Sequence, residues 1–321
     1  MTAALYDEAG GYYKRSDLKR WGREGDYRTS PERSELFAAT FARYFAKLYD
    51  ELQRPPEWTI VEAGGGAGDF AAGVQRSLHD YYRPVFEATR YVSTETNDEL
   101  QALTPIEAGI FFSNEVLDAF PVHRVTRTGD ELSELYITLN SEGQFVWSNG
   151  PLSTPRLLEF CREYAVELED GQFIEINLEI DDWLLSVAAK LERGYLISVD
   201  YGAESFDLYD VALRPNGTLR AFSRHGFIDD VLIAPGDYDI TSSVNWSQVQ
   251  AVGGRLGFTT VAFAQQDRFL LDAGLLEELQ RRMSSLTSEA DKLSLTAGAR
   301  EMILPGGMGS SFQVLVQKKG N

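Results

Sequence analysis

The chain has 321 residues, 43% of them hydrophobic, which is enough for one large domain or a domain with a subdomain. Its formal net charge of −19 disfavours non-specific nucleic-acid binding, which needs a basic footprint. No run of 18 apolar residues exists to span a membrane, and Cys161, the only cysteine, excludes an intramolecular disulfide and a cysteine-cluster metal site.

Residues 1–35 are rich in Gly, Asp and aromatics and read as ordered loop. A helix is predicted over about 31–52, with Ser30 as cap and Pro31 in its first turn. Strands follow near 58–63, 90–95 and 109–113, with a helix after Gly68 between the first two. That βαβ rhythm implies a parallel sheet. Residues 122–127, 134–139 and 144–147 form short strands separated by turn residues, an antiparallel meander inserted in the main fold. The parallel pattern then resumes with a strand over Phe173–Asn177, a helix over 179–192 and the buried strand Tyr195–Asp200. Late strands near 258–264 and 311–317 form an antiparallel closing pair, with helices near 245–256 and 267–301.

The most informative stretch is Val61-Glu62-Ala63-Gly64-Gly65-Gly66-Ala67-Gly68-Asp69, where an apolar strand runs into an acid, a glycine loop and a helix. A pyrophosphate loop offers bare backbone N–H groups and a helix dipole to negative charge. A carboxylate at the strand tip suits a cofactor with a positive end, such as S-adenosyl-L-methionine, which carries an amino group and a sulfonium and no phosphate. Glu62, Gly64, Gly66 and Gly68 are therefore candidate cofactor contacts. Glu95 ends the next strand, where an acid accepts hydrogen bonds from ribose hydroxyls.

After the third strand come Asn114, Glu115 and Asp118, polar residues at an apolar strand tip and candidates for substrate handling, with Asn114 also counted as a cofactor contact. A helical turn would place Glu115 and Asp118 on one face, where two carboxylates could align a guanidinium. Asp200 repeats the pattern at a fourth strand tip and joins Glu115 and Asp118 as a catalytic candidate. No metal-ligand pattern, G-x-S-x-G elbow or phosphate-binding G-x-x-x-x-G-K-[ST] loop is present.

These motifs, with Gly25-Asp26-Tyr27-Arg28-Thr29-Ser30-Pro31-Glu32, Asn114-Glu115-Val116-Leu117-Asp118-Ala119-Phe120-Pro121-Val122-His123, Asp200-Tyr201-Gly202, Asp239-Ile240-Thr241 and Gly307-Met308-Gly309, resemble the MidA-like family of S-adenosylmethionine-dependent methyltransferases. That family includes the mitochondrial methyltransferase that assists assembly of respiratory complex I. The resemblance covers nearly the whole chain. It implies an α/β class I methyltransferase (Rossmann-like) fold: a mostly parallel sheet with an antiparallel closing strand, an N-terminal lobe over 1–56, and a methyltransferase domain over 57–321 with an insertion at about 122–172. It adds Asp26 and Thr29 as cofactor contacts. It implies methylation of arginine in a basic or arginine-containing protein substrate. The chain departs from the family pattern at Gly65, where proline is usual, at Glu95-Thr96-Asn97, and at Asn245, where an acid is usual after the Asp239-Ile240-Thr241 motif. With no signal or transit segment in view, a cytoplasmic location is expected. The alternative expectation is a cofactor-dependent assembly module that grips a partner protein without essential methylation.

Overall fold

The computed structural model describes residues 1–15, 17–18, 34–164, 167–223, 226–228, 230–304 and 310–320. In chain order the strands are β1 (Trp58–Ala63), β2 (Thr89–Thr94), β3 (Ile106–Asn114), β4 (His123–Thr128), β5 (Glu131–Leu139), β6 (Phe145–Gly150), β7 (Phe173–Ile176), β8 (Leu191–Ala203), β9 (Arg220–Ser223), β10 (Gly226–Ile228), β11 (Asp239–Thr241), β12 (Val244–Asn245), β13 (Phe258–Gln265) and β14 (Phe312–Lys319). The chain divides into two compact units. One comprises 28–116, 183–201 and 253–321, the other 1–27, 117–182 and 202–252.

The first unit holds the main sheet, in the order β13-β14-β8-β3-β1-β2. β2, β1, β3 and β8 run parallel, while β14 lies antiparallel to β8 and β13 antiparallel to β14. β1, β3 and β8 are largely buried and apolar over their central residues, as strands covered on both faces are, while edge strand β2 (Thr89–Thr94) is mostly polar and only partly buried. Trp58, Ile60, Ile110, Phe112, Tyr195, Ile197 and Val199 pack with helix Glu35–Glu51 in one buried cluster. Phe112 stacks on Phe70 with ring centroids 4.3 Å apart and meets Phe41 edge-on at 5.0 Å. Such ring pairs each contribute about 0.5–1.5 kcal/mol beyond burial.

The second unit is built on smaller antiparallel sheets. β6-β5-β4-β7 form one and β10-β9-β11 another. Val125, Leu157, Phe160, Ile174 and Ile176 form the core beneath the first, and Leu5, Tyr12, Ala221 and Ile240 belong to the core beside the second. β12 pairs with Gly202 and Ala203 at the end of β8.

Several predicted elements differ. The first long helix starts at Glu35, because the Ser34 hydroxyl accepts the Leu36 N–H and so caps it; Ser30 and Pro31 lie outside the described residues. Phe173–Ile176 does not resume the parallel sheet. It pairs antiparallel with β4, burying Ile174 and Ile176 beside Val125. The predicted helix over 267–301 is three helices, Gln266–Asp272, Leu275–Ser285 and Glu289–Ile303. Gly274, at φ +98°, turns the chain between the first two. Helix Thr2–Tyr6 and strands β9–β11 were not foreseen. Among the described residues, no helix is long and apolar enough to cross a membrane.

Candidate active site

Glu62, Gly64, Gly66, Gly68, Glu95, Asn114, Glu115 and Asp200 all belong to the unit with the parallel sheet, at or just beyond the carboxyl ends of β1, β2, β3 and near that of β8. In open parallel sheets this edge is where ligands bind, because loops leave the strands there and helix N-termini point toward it. Asp118 lies in the other unit, where its carbonyl accepts the Ser242 N–H at 3.0 Å. Residues after Glu115 form bends and turns, so the helical face expected to carry Glu115 and Asp118 together is not formed. Asp26 and Thr29 lie outside the described residues.

The glycine loop has a physical reason for each of its predicted glycines. Gly64, Gly66 and Gly68 take φ values of +70°, +54° and +81°, a region that disfavours residues with a Cβ. Gly64 donates its N–H to the Thr94 carbonyl at 2.7 Å, tying the loop to the end of β2. Gly68 is the N-cap of helix Asp69–Tyr81, whose first-turn Phe70 is the ring stacked on Phe112. The loop is thus held between a strand end and an aromatic core. A Cβ at Gly65 would lie 1.9 Å from the Ser93 hydroxyl, so a side chain there needs that exposed serine to turn away, with no left-handed backbone involved.

Glu62 is 4% exposed. Its Oε2 accepts the Tyr91 hydroxyl at 2.8 Å. Burial pushes its carboxyl up to about 7, the Tyr91 hydrogen bond pulls down, and the nearby charge of Glu95 adds to the rise. Glu95 is exposed, and its Oε1 accepts the Gly66 N–H at 3.0 Å. Asn114 donates through Nδ2 to Glu115 Oε1 at 3.1 Å, while its own Oδ1 is buried with no hydrogen-bond partner among the described residues. Alternation along β3 puts Asn114 on the same face as Phe112, and register places Phe112 beside Glu62.

Two carboxyls and an unsatisfied buried carbonyl oxygen form a set of acceptors. They fit a ligand rich in N–H and O–H donors with a positive end, and they oppose a phosphate. S-adenosyl-L-methionine meets that description through its ammonium and ribose hydroxyls. Glu62, Glu95, Asn114 and the glycine loop are the described residues suited to hold it.

Sequence reasoning missed Tyr91, Ser93 and Val116. Tyr91 sits in register with Ile60, so its ring shares the face of Glu62 and its hydroxyl reaches that carboxyl. Only the pairing of β1 with β2 reveals this, because the two residues are far apart in the chain.

Residues 40–106 and 100–264 match a family model described as "Putative S-adenosyl-L-methionine-dependent methyltransferase". The chain is 23% identical over 360 residues to the protein arginine methyltransferase NDUFAF7, mitochondrial, of Mus musculus, covering 97% of this chain and 78% of that protein. The Homo sapiens protein of the same name is 22% identical, with 97% and 77% covered. A solved structure from Burkholderia thailandensis, bound to S-adenosyl-homocysteine, superposes with a TM-score of 0.84 at 26% identity, covering 99% of this chain and 86% of that one. The mitochondrial relatives overturn the expected cytoplasmic location, which rested on the look of the first residues alone. The fold is that of a class I methyltransferase, and the cofactor is S-adenosyl-L-methionine. With its match spanning most of the parallel sheet and both sides of the glycine loop, this chain belongs to that family of S-adenosyl-L-methionine-dependent methyltransferases.

Proposed function

We propose that this methyltransferase acts on arginine in a protein substrate, with Glu115 as the carboxylate that receives the guanidinium. The observation that carries the reading is the placement of Glu115. It follows the last residue of β3, takes a left-handed φ of +55°, and has its carboxylate oriented by Asn114 Nδ2. The mitochondrial relatives, named protein arginine methyltransferases, support the same acceptor class.

Bound at the carboxyl edge of the sheet, the cofactor supplies an electrophilic methyl on a sulfonium. Arginine is protonated at any working pH, since its pKa exceeds about 12. Glu115 therefore does not strip the proton beforehand. It accepts guanidinium N–H bonds, aims one nitrogen, and stabilises the positive charge until the methylated nitrogen gives up its displaced proton to solvent water. Orientation of this kind is where most of the rate comes from. Asp26 and Thr29 remain proposed cofactor contacts on the family resemblance alone. A role in respiratory complex assembly is a further part of this reading.

Glu115→Gln tests it. The variant is expected to bind S-adenosylhomocysteine normally by calorimetry, yet to transfer label from cofactor to lysate protein about 100-fold more slowly. Undiminished transfer, or label found on small molecules only, would overturn the reading.

One observation favours a second reading, partner binding without essential methylation. The β5–β6 hairpin pairs Leu139 with Phe145 and Ile137 with Trp147 on one face, and Ile137, Leu139 and Phe145 are 47%, 58% and 48% exposed. A patch of this sort marks a binding surface. If Glu115→Gln still restores assembly of a partner complex in cells lacking the protein, this second reading holds.

A further inference from the structure

Between β3 and the end of the parallel-sheet unit's 28–116 segment, one turn is tied in several directions. A left-handed φ costs a residue with a Cβ on the order of 1 kcal/mol, so the +55° of Glu115 must be held by its surroundings. Two hydrogen bonds hold it. The Glu115 N–H donates to the Val199 carbonyl at 2.9 Å, and the Val116 N–H donates to Asp200 Oδ2 at 3.3 Å. On the opposite side, the Val116 side chain lies against the cofactor loop. A Cβ at Gly64 would stand 2.6 Å from Val116 Cγ2.

Asp200 was expected to handle substrate itself. It is 1% exposed, and besides Val116 it accepts the Tyr201 N–H through Oδ1 at 2.9 Å. Each oxygen thus serves a backbone donor. A buried carboxylate that accepts backbone N–H bonds fixes a chain conformation.

We propose that Asp200 and Val116 are positioning residues: Asp200 pins the left-handed turn that aims Glu115, and Val116 sets that turn in register with Gly64 of the cofactor loop. The acceptor carboxylate and the methyl donor's loop are then located against each other by a single side chain. This rests on Glu115 being the acceptor carboxylate. Its consequence is that methyl transfer depends on two residues that act through the Glu115 turn and the glycine loop, because a displacement of about 1 Å in a reacting pair can cost about 10²-fold in rate.

The test uses the full chain, labelled S-adenosylmethionine and lysate as the source of acceptor. Asp200→Asn keeps the volume but turns one oxygen into an NH₂ group, so either Val116 or Tyr201 loses its acceptor. Val116→Ala opens the space against Gly64 and leaves the backbone hydrogen bond in place. Each is expected to slow label transfer by about 10- to 100-fold, with S-adenosylhomocysteine affinity changed by less than about threefold. The pH–rate curve of Asp200→Asn should be lowered throughout with its shape kept. The double variant should be little slower than Asp200→Asn alone, since both changes loosen one turn.

Loss of a limb of the pH curve in Asp200→Asn would mean that Asp200 exchanges a proton in the reaction, and the proposal fails. Wild-type rates in both single variants also overturn it. Should Asp200→Asn not fold, Val116→Ile decides: it refills the space and should recover most of the rate lost in Val116→Ala, and equal rates in the two overturn the proposal. If Glu115→Gln is inactive while Asp200→Asn and Val116→Ala match wild type, only the positioning roles fall. If Glu115→Gln keeps full rate, the acceptor reading falls with them.

Discussion

Glu62 combines burial, a tyrosine donor and a neighbouring acid, which together place its carboxyl at about 7, so cofactor binding is expected to depend on pH if Glu62 faces the cofactor's cation. Its folded-state pKa is raised above the ordinary carboxylate value. The native protein without cofactor therefore holds a proton that the unfolded chain releases, and stability falls as pH rises from the ordinary value through about 7. A positive ligand group reverses the preference, because it favours the ionised carboxylate. S-adenosylhomocysteine should bind more tightly as pH rises through about 7 and level off above it. Titration calorimetry between about pH 5.5 and 7.5 reads the rise directly, below the range near about 8 where an α-amino group loses its charge. Glu62→Gln should flatten the curve. Tyr91→Phe removes the hydrogen bond that favours the ionised form, so its midpoint should move to higher pH. A pH-independent affinity in the wild-type chain would show that Glu62 does not face the cation.

At the scale of an element, the glycine loop works because its far end is anchored. Phe70 is 3% exposed and stacked on Phe112. Phe70→Ala should cost about 3–5 kcal/mol, as large core truncations do, seen as a lower denaturant midpoint. It should also weaken S-adenosylhomocysteine binding, because helix Asp69–Tyr81 starts at that turn. Gly64 and Gly68 separate two effects that a sequence pattern merges. A Cβ at Gly68 meets nothing within 4 Å, so Gly68→Ala incurs only the left-handed strain, about 1 kcal/mol. Gly64→Ala adds a clash with Val116 and should lose more, both in stability and in cofactor affinity. Equal losses in the two would mean that the Val116 contact does not matter. The strand–glycine–helix order was legible because local chemistry dictates it: apolar run, positive-φ turn, amphipathic helix. The antiparallel place of Phe173–Ile176 was not, because an apolar four-residue run reads alike in either kind of sheet.

For the whole molecule, the formal charge of −19 favours a basic partner over the crowd of neutral ones. Attraction between exposed charges is screened within about 10 Å at 0.1 M salt and about 3 Å at 1 M. Methyl transfer to a basic protein substrate should therefore slow as salt rises from about 0.05 to 0.5 M, while S-adenosylhomocysteine affinity is expected to change little. Rates that ignore salt would remove charge steering from the account of substrate choice.

The amino-acid sequence by itself determined the order of strands and helices around the glycine loop, the acids at the strand tips and the class of cofactor they suit. Those are local properties: φ preferences at Gly64, Gly66 and Gly68, and a carboxylate where a phosphate site would carry none. Only the tertiary structure decided how those acids differ. Strand register put Tyr91 beside Glu62, and burial within the sheet gave that carboxyl its raised pKa. The pairing of β3 with β8 put Asp200 on the Val116 N–H and set Glu115 on a strained turn. Glu115, Asp118 and Asp200 look alike as letters. Burial and hydrogen-bond partners, set by residues distant in the chain, separate them.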